Sequence, residues 1–294
     1  MATPERGWPR TGNTEEWSMA SQPNDESASK AGSVNNTTTS AARAADILLH
    51  FTNGPLGVSR VARELNLSKA VVHRVLTTFV DRGLLVITTP DREYALGPAA
   101  AALGASALRS SPLREIARPL LTDLQQQTGE TATVTAMAGR GRIYLDQVES
   151  RNEIKMTVEL GRRFPLHTGS SGRAILAFQT PALNEAVLAE PLDKLTPATI
   201  TDPDALRASL QEIREKGWCV SSGERQEGAS SIAAPVFDLD GLAVGALSVC
   251  GPIHRMTNEV LLGYVPIVTA AADQVSRTLG WRGGLPTDDR TDDA

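Results

Sequence analysis

A chain of 294 residues, 41% hydrophobic and 21% charged, has room for two globular domains, and its net charge of −5 argues against sequence-independent DNA binding through a broad basic surface. No stretch approaches the about 18 apolar residues of a membrane helix, and residues 1–30 hold no apolar core of a signal peptide. Two cysteines, Cys219 and Cys250, are too few for a disulfide framework or a cysteine zinc site, so a cytoplasmic protein with no metal and no other cofactor is expected.

Residues 1–39 are rich in Ser, Asn, Thr, Pro and Glu and read as a disordered tail, in which either Met1 or Met19 could be the start. From Ser40 to Phe51, Ala44, Ile47, Leu48 and Phe51 recur at helical spacing, and Asn53-Gly54-Pro55 ends the run. A short helix capped by Ser59 is expected to reach Leu65. After a turn at Asn66-Leu67, Ser68 caps a helix over Lys69–Arg82. Val72, Val75, Leu76 and Phe79 form the apolar back of that helix, leaving Lys69, Ala70, His73, Arg74 and Thr77 on its front. Gly83 stops it. Strands at Leu84–Thr88 and Tyr94–Leu96 then enclose a tip, Thr89–Arg92.

That order describes a winged helix-turn-helix over residues 40–97, whose second helix fits the major groove of DNA. Arg74 suits a guanine edge or a phosphate, Lys69 and Arg92 suit phosphates, and the Ala70 methyl suits a thymine methyl. The unit holds seven Lys/Arg against five Asp/Glu, so a local basic strip doubled by dimerisation fits better than a uniform positive field.

An Ala-rich helix over residues 98–111 reads as a connector to a second domain spanning 112–282. A helix over Pro112–Thr128 leads into strands at Thr131–Ala138, Arg142–Val148 and Ile154–Glu159. A Gly/Ser loop after Pro165 opens a helix at Gly172–Phe178, and helices follow at 181–189 and 203–216, the latter capped by Asp202 or Asp204. Strands at Trp218–Ser221, Ser231–Phe237 and Ala243–Cys250 precede one long helix, Asn258–Leu279, and an acidic tail over 283–294. Antiparallel hairpins flanked by helices make an α+β domain, with a pocket expected on one side of a curved sheet.

Four blocks carry a more specific signal: LREIARPLLTDLQQQTGETATV (Leu113–Val134), IYLDQVES (Ile143–Ser150), GRRFPLHTGSSGRAILA (Gly161–Ala177) and ERQEGASSIAAPVFDLDG (Glu224–Gly241), the last followed by ALSVCGP (Ala246–Pro252). In this order they resemble the IclR family of bacterial transcriptional regulators, over roughly Ala41–Leu279. The resemblance implies a winged helix-turn-helix joined to a GAF-like effector-binding domain, in a homodimer or homotetramer. It further implies a small-molecule pocket lined by Ser170, Ser171, Ser221, Ser231, Ser248 and Cys250, with Met156 and Leu160 as an apolar wall. Departures from the family pattern occur at Ser221 or Ser222, where an acidic residue is usual, at Ser231 for a cysteine, at Cys250 for a serine, and at Ala70-Val71 for Ser/Thr.

The exposed amides expected at Ser170–Arg173 suit a carboxylate, because a helix N-terminus is electropositive. A carboxylate or an aromatic metabolite is the expected effector, and repression the expected mode. An enzyme is the rival class: His167 lies near Ser170 and Ser171 in sequence, and Glu224 with Arg225 offers acid–base groups. The chain has no G-x-S-x-G elbow, no metal spacing among its four histidines and no phosphate loop, so no catalytic residue is assigned. A ligand-independent DNA binder is the remaining alternative.

Overall fold

In the computed structural model, residues 31–284 are described. Of the disordered tail expected over residues 1–39, residues 1–30 lie outside them, as does the acidic tail from 285 onward, while residues 31–39 are helical and not disordered. The first helix, α1 (Ala31–His50), begins at Ala31 rather than at Ser40, and no Pro or Gly stands between Gly32 and Asn53 to interrupt it. Of the two units into which the chain divides, the second starts at Ile47.

Within the second unit the N-terminal part is a winged helix-turn-helix with a core of its own. Helices α2 (Val58–Glu64) and α3 (Lys69–Asp81) are followed by a hairpin of β1 (Leu85–Ile87) and β2 (Tyr94–Leu96), with Ile47, Phe51, Leu56, Val61, Val72, Leu76, Leu85 and Tyr94 buried between them. Ser59 does not cap α2: the N-cap is Gly57, and Ser59 sits exposed in the first turn. Ser68 does cap α3, its hydroxyl accepting from the Val71 N–H at 3.3 Å. Leu56 bridges the wing through paired backbone bonds with Tyr94 at 3.0 and 2.9 Å. Helix α4 (Pro98–Arg109) follows, and none of its residues is buried.

The C-terminal part is a six-stranded antiparallel sheet, in the order β5-β4-β3-β8-β7-β6, with helices against both faces. Its strands are β3 (Thr131–Ala138), β4 (Gly141–Val148), β5 (Arg163–Pro165), β6 (Cys219–Ser222), β7 (Ala229–Phe237) and β8 (Ala243–Pro252). Side chains alternate along a strand. Ile232, Ala234, Leu247 and Val249 therefore meet α5 (Pro112–Thr128) and α10 (Val265–Thr278) on one face. Ala233 and Ala246 meet α6 (Gly169–Ala177), α7 (Pro181–Leu188) and α8 (Pro203–Lys216) on the other. This is the α+β body expected.

Three further expectations about elements are corrected. Helix α6 starts at Gly169 and not at Gly172, so that Ser170–Arg173 are buried helical residues and not an exposed loop. Residues 154–159 form no strand; the third strand of that hairpin system is β5. The Gln147 side chain supplies what a ladder would have, donating to the Val158 carbonyl at 3.0 Å and accepting from the Val158 N–H at 2.8 Å. The last long helix is two, α9 (Asn258–Gly263) and α10, because Gly263 weakens the helix and Pro266 brings no N–H to continue it.

Candidate functional site

On α3 the buried back is Val72 and Leu76, while Lys69, Ala70, His73, Arg74 and Thr77 are all exposed. The front is polar but partly self-bonded, since the Thr77 hydroxyl donates to the His73 carbonyl at 3.0 Å. Arg92 stands exposed at the wing tip with φ 53°, and Ser68 is exposed at the helix start. The neighbouring charges of α2 are absorbed locally: Glu64 accepts from Arg60 at 2.8 Å and pairs with His50 at 2.6 Å, and hydrogen bonds from those two groups hold its carboxyl below the usual value. The α3 face is therefore the one that offers hydrogen-bonding groups outward.

In the C-terminal domain the strand register builds a polar patch on the α6 side of the sheet. One row runs Ser221, Ser231, Cys250, Thr131 across β6, β7, β8 and β3, and the next runs Cys219, Ala233, Ser248, Thr133. The hydroxyls bond across these rows, Ser248 with Thr133 at 2.7 Å and Ser231 with Ser170 on α6 at 2.7 Å. Helix α6 comes this close because Gly172 has no side chain: a Cβ there would lie 2.5 Å from the Leu166 carbonyl oxygen and 2.9 Å from Arg142 Nε.

Between the patch and α6 lies a cavity whose space open to the centre of a water molecule is about 30 Å³, room for about two waters. Met156, Ser170, Ser171, Ser221, Ser231, Ser248 and Cys250 all line it. Leu160 does not: it is 47% exposed and absent from the lining. Seven further wall residues, among them Arg142, Tyr144, Arg225 and Gln226, were not assigned to the pocket from sequence. The only sequence sign of Arg142 is its parity with Tyr144 on β4.

Arg173, in the second turn of α6, does not reach the cavity. It is buried, pairs with Glu224, and donates to Ser209 Oγ at 2.6 Å and to the Val220 carbonyl at 2.8 Å, so it ties α6 to α8 and β6. Burial pushes the Glu224 carboxyl up, opposed by Arg173, by the Ser221 hydroxyl and by the Gly169 amide. His167 is likewise committed elsewhere, its Nε2 lying 3.0 Å from the Asp193 carbonyl oxygen, while Ser170 pairs with Ser231. No His–Ser nucleophile pair forms there.

Both thiols are buried, and burial raises them from 9.0 to about 12 for Cys219 and to about 11 for Cys250, with Arg225 working against the rise at Cys250. At pH 8 both are protonated in the folded protein, so iodoacetamide is expected to leave them unmodified until urea unfolds the chain. Native-state alkylation of Cys250, read by mass spectrometry, would contradict this.

Comparisons with known proteins now bear on this architecture. Residues 105–277 match the family model described as the bacterial transcriptional regulator IclR C-terminal domain, and residues 40–86 match the IclR helix-turn-helix domain. The chain is 37% identical over 236 residues to the HTH-type transcriptional regulator BhcR of Paracoccus denitrificans, covering 80% of this chain and 85% of that protein. It is 28% identical to the transcriptional repressor IclR of Escherichia coli, covering 78% and 85%. Among solved structures, an IclR regulator from a Silicibacter species superposes with a TM-score of 0.74 at 32% identity, covering 84% of this chain and 100% of that one. An IclR homolog from Microbacterium hydrocarbonoxydans, complexed with 4-hydroxybenzoate, superposes with a TM-score of 0.60 at 28% identity, covering 82% and 98%. The chain therefore belongs to the IclR family, as a DNA-binding transcriptional regulator and not an enzyme.

Proposed function

We propose that this regulator is an effector-responsive repressor in which a winged head over residues 40–97 and a connector over 98–111 answer to a ligand-binding body over 112–282. The carrying observation is the cavity itself: hydroxyl-bearing strand positions and the first turn of α6 converge on it, and buried polar groups need hydrogen-bonding partners. The Microbacterium homolog, crystallised with 4-hydroxybenzoate, supports a small-molecule effector, and the E. coli relative named as a repressor supports repression.

On the DNA side, Lys69, Ala70, His73, Arg74 and Thr77 face the major groove, and Ser59, Ser68 and Arg92 approach phosphates. A homodimer or homotetramer presents two such heads. Helix α4, with no buried residue and with Leu103 63% exposed, supports an assembly in which its apolar side is covered. Effector binding shifts operator affinity only by its preference between two states of that assembly, on the order of 1–3 kcal/mol.

The test is operator binding, followed by fluorescence anisotropy, with and without a panel of small carboxylates and aromatic acids. Ser248→Leu fills the cavity from its floor and is expected to abolish the effector response while leaving basal operator binding intact. A Ser248→Leu protein that folds and responds normally would move the effector site elsewhere, and a wild-type protein indifferent to every compound would favour the ligand-independent alternative.

A further inference from the structure

The cavity wall carries two positive charges, and no Asp or Glu stands among the described residues that line it. Arg142 is 1% exposed, and its Nε and Nη1 have no hydrogen-bond partner; only Nη2 is engaged, donating to the Thr168 carbonyl at 3.2 Å. Arg225 stands beside it. Both guanidinium groups lie over the same ring pair, Arg142 at 5.0 and 5.4 Å from the Tyr144 and Phe164 centroids and Arg225 at 5.8 and 5.3 Å. A Cβ placed on Gly169 would be 3.7 Å from Arg142 Nη2 and 3.7 Å from Arg225 Cβ, so both approach the first residue of α6.

Among the described residues, neither arginine has a carboxylate within ion-pair distance. The nearby buried acids are already paired, Glu224 with Arg173 and Glu130 with Arg255. The positive end of α6 adds to the imbalance. Buried charges are ordinarily paired, and ring faces compensate a guanidinium only in part. Two like charges beside a helix N-terminus, with buried N–H groups unspent, are the electrostatic complement of an anion.

We propose that Arg142 and Arg225 are the anion anchor of this cavity, and that its ligand is a small carboxylate gripped by the Arg142 guanidinium. The proposal rests on the effector-site reading above, which already expects a carboxylate or an aromatic metabolite, and adds the residues that grip and select it. Arg142 is the fixed element, held by Thr168, Tyr144 and Phe164. Arg225, half-buried on the loop between β6 and β7, is the element free to adjust.

The experiment uses the purified full-length protein with three acids, acetate, lactate and benzoate, each against its neutral amide. Thermal shift and calorimetry report binding, because a ligand selective for the folded state raises the melting temperature by mass action. At least one acid is expected to bind the wild type, with its amide inactive. Arg142→Met should weaken that acid by about thirtyfold or more. It should not lower the melting temperature of the protein without added acid, since it removes an unbalanced buried charge. Arg142→Lys keeps the charge and should retain part of the affinity, which holds the test open if Arg142→Met folds poorly.

An amide that binds as tightly as its acid overturns the proposal, as does an Arg142→Met protein within twofold of wild type. Failure of all three acids to bind overturns it equally. Operator binding measured in the same titrations separates the two readings. Acid bound through Arg142 without any change in operator affinity sinks the effector reading and leaves the anchor standing. An operator response that survives Arg142→Met does the reverse.

Discussion

Glu224→Ala is expected to destabilise the protein by about 3–5 kcal/mol, because it strands the buried Arg173 guanidinium. Arg173 would keep its bonds to Ser209 and to the Val220 carbonyl but lose its only carboxylate, and the join between α6, α8 and β6 would loosen. The mirror variant, Arg173→Ala, leaves the acid behind, and the two should differ in their pH response. Burial already raises the Glu224 carboxyl, and removing Arg173 takes away a main opposing influence. A carboxyl raised in the folded state contributes stability that is present below its unfolded value of 4.5 and is lost as pH rises through its native value. Arg173→Ala should therefore gain stability as the solution is acidified from neutrality toward that value, whereas Glu224→Ala has no such acid to protonate. Urea titrations at several pH values measure both effects. A loss below about 1 kcal/mol in either variant would mean that water screens the pair as it does a surface bridge.

Arg74→Ala is expected to weaken binding to the cognate operator by roughly 5- to 150-fold while leaving the oligomer and its melting temperature unchanged. Arg74 is exposed on the outer face of α3, opposite Val72 and Leu76, so its removal disturbs no packing. Its side chain makes no ion pair among the described residues, which leaves the guanidinium available to a base edge or a phosphate. Footprinting decides between these contacts: loss of discrimination at one base pair marks base readout, and a uniform loss with a shallower salt dependence marks a phosphate. An unchanged footprint would remove Arg74 from the DNA-contact face.

How much of this was legible beforehand follows from which physics was local. The α3 helix announces itself through the Ser68 cap and a 3.6-residue apolar period, both decided within the helix. The cavity floor was legible for a similar reason: Ser248 and Cys250, two apart on β8, must share a face, and Ser231 reaches that face by register with Cys250. Nothing local marks the absence of a strand at 154–159, where a single amide from Gln147 replaces a partner strand. Ser59 reads as a cap by residue type, yet the helix is capped two residues earlier, at Gly57. Leu160 was assigned through resemblance, without regard to its direction, and it points to solvent. Arg142 was overlooked, and Arg225 was weighed only beside Glu224 as an acid–base group, because an arginine in a sequence reads as a solvated charge. Only the folded chain reveals that one of them is buried and that neither has an acid beside it.

The Gln147 bridge bears on how such a protein acquires a new ligand. Met156, on one wall of the cavity, rides on a segment that makes no strand ladder. That segment is held by the Gln147 amide, by a hydroxyl bond from Thr131 to the Met156 carbonyl at 2.6 Å, by Arg255 donating to the Ile154 carbonyl at 2.8 Å and by the Lys155–Glu149 ion pair at 2.8 Å. Changes of length or identity in that segment leave every strand pairing untouched. On the proposed effector reading, selectivity can thus drift along one wall while the sheet beneath it stays as it is.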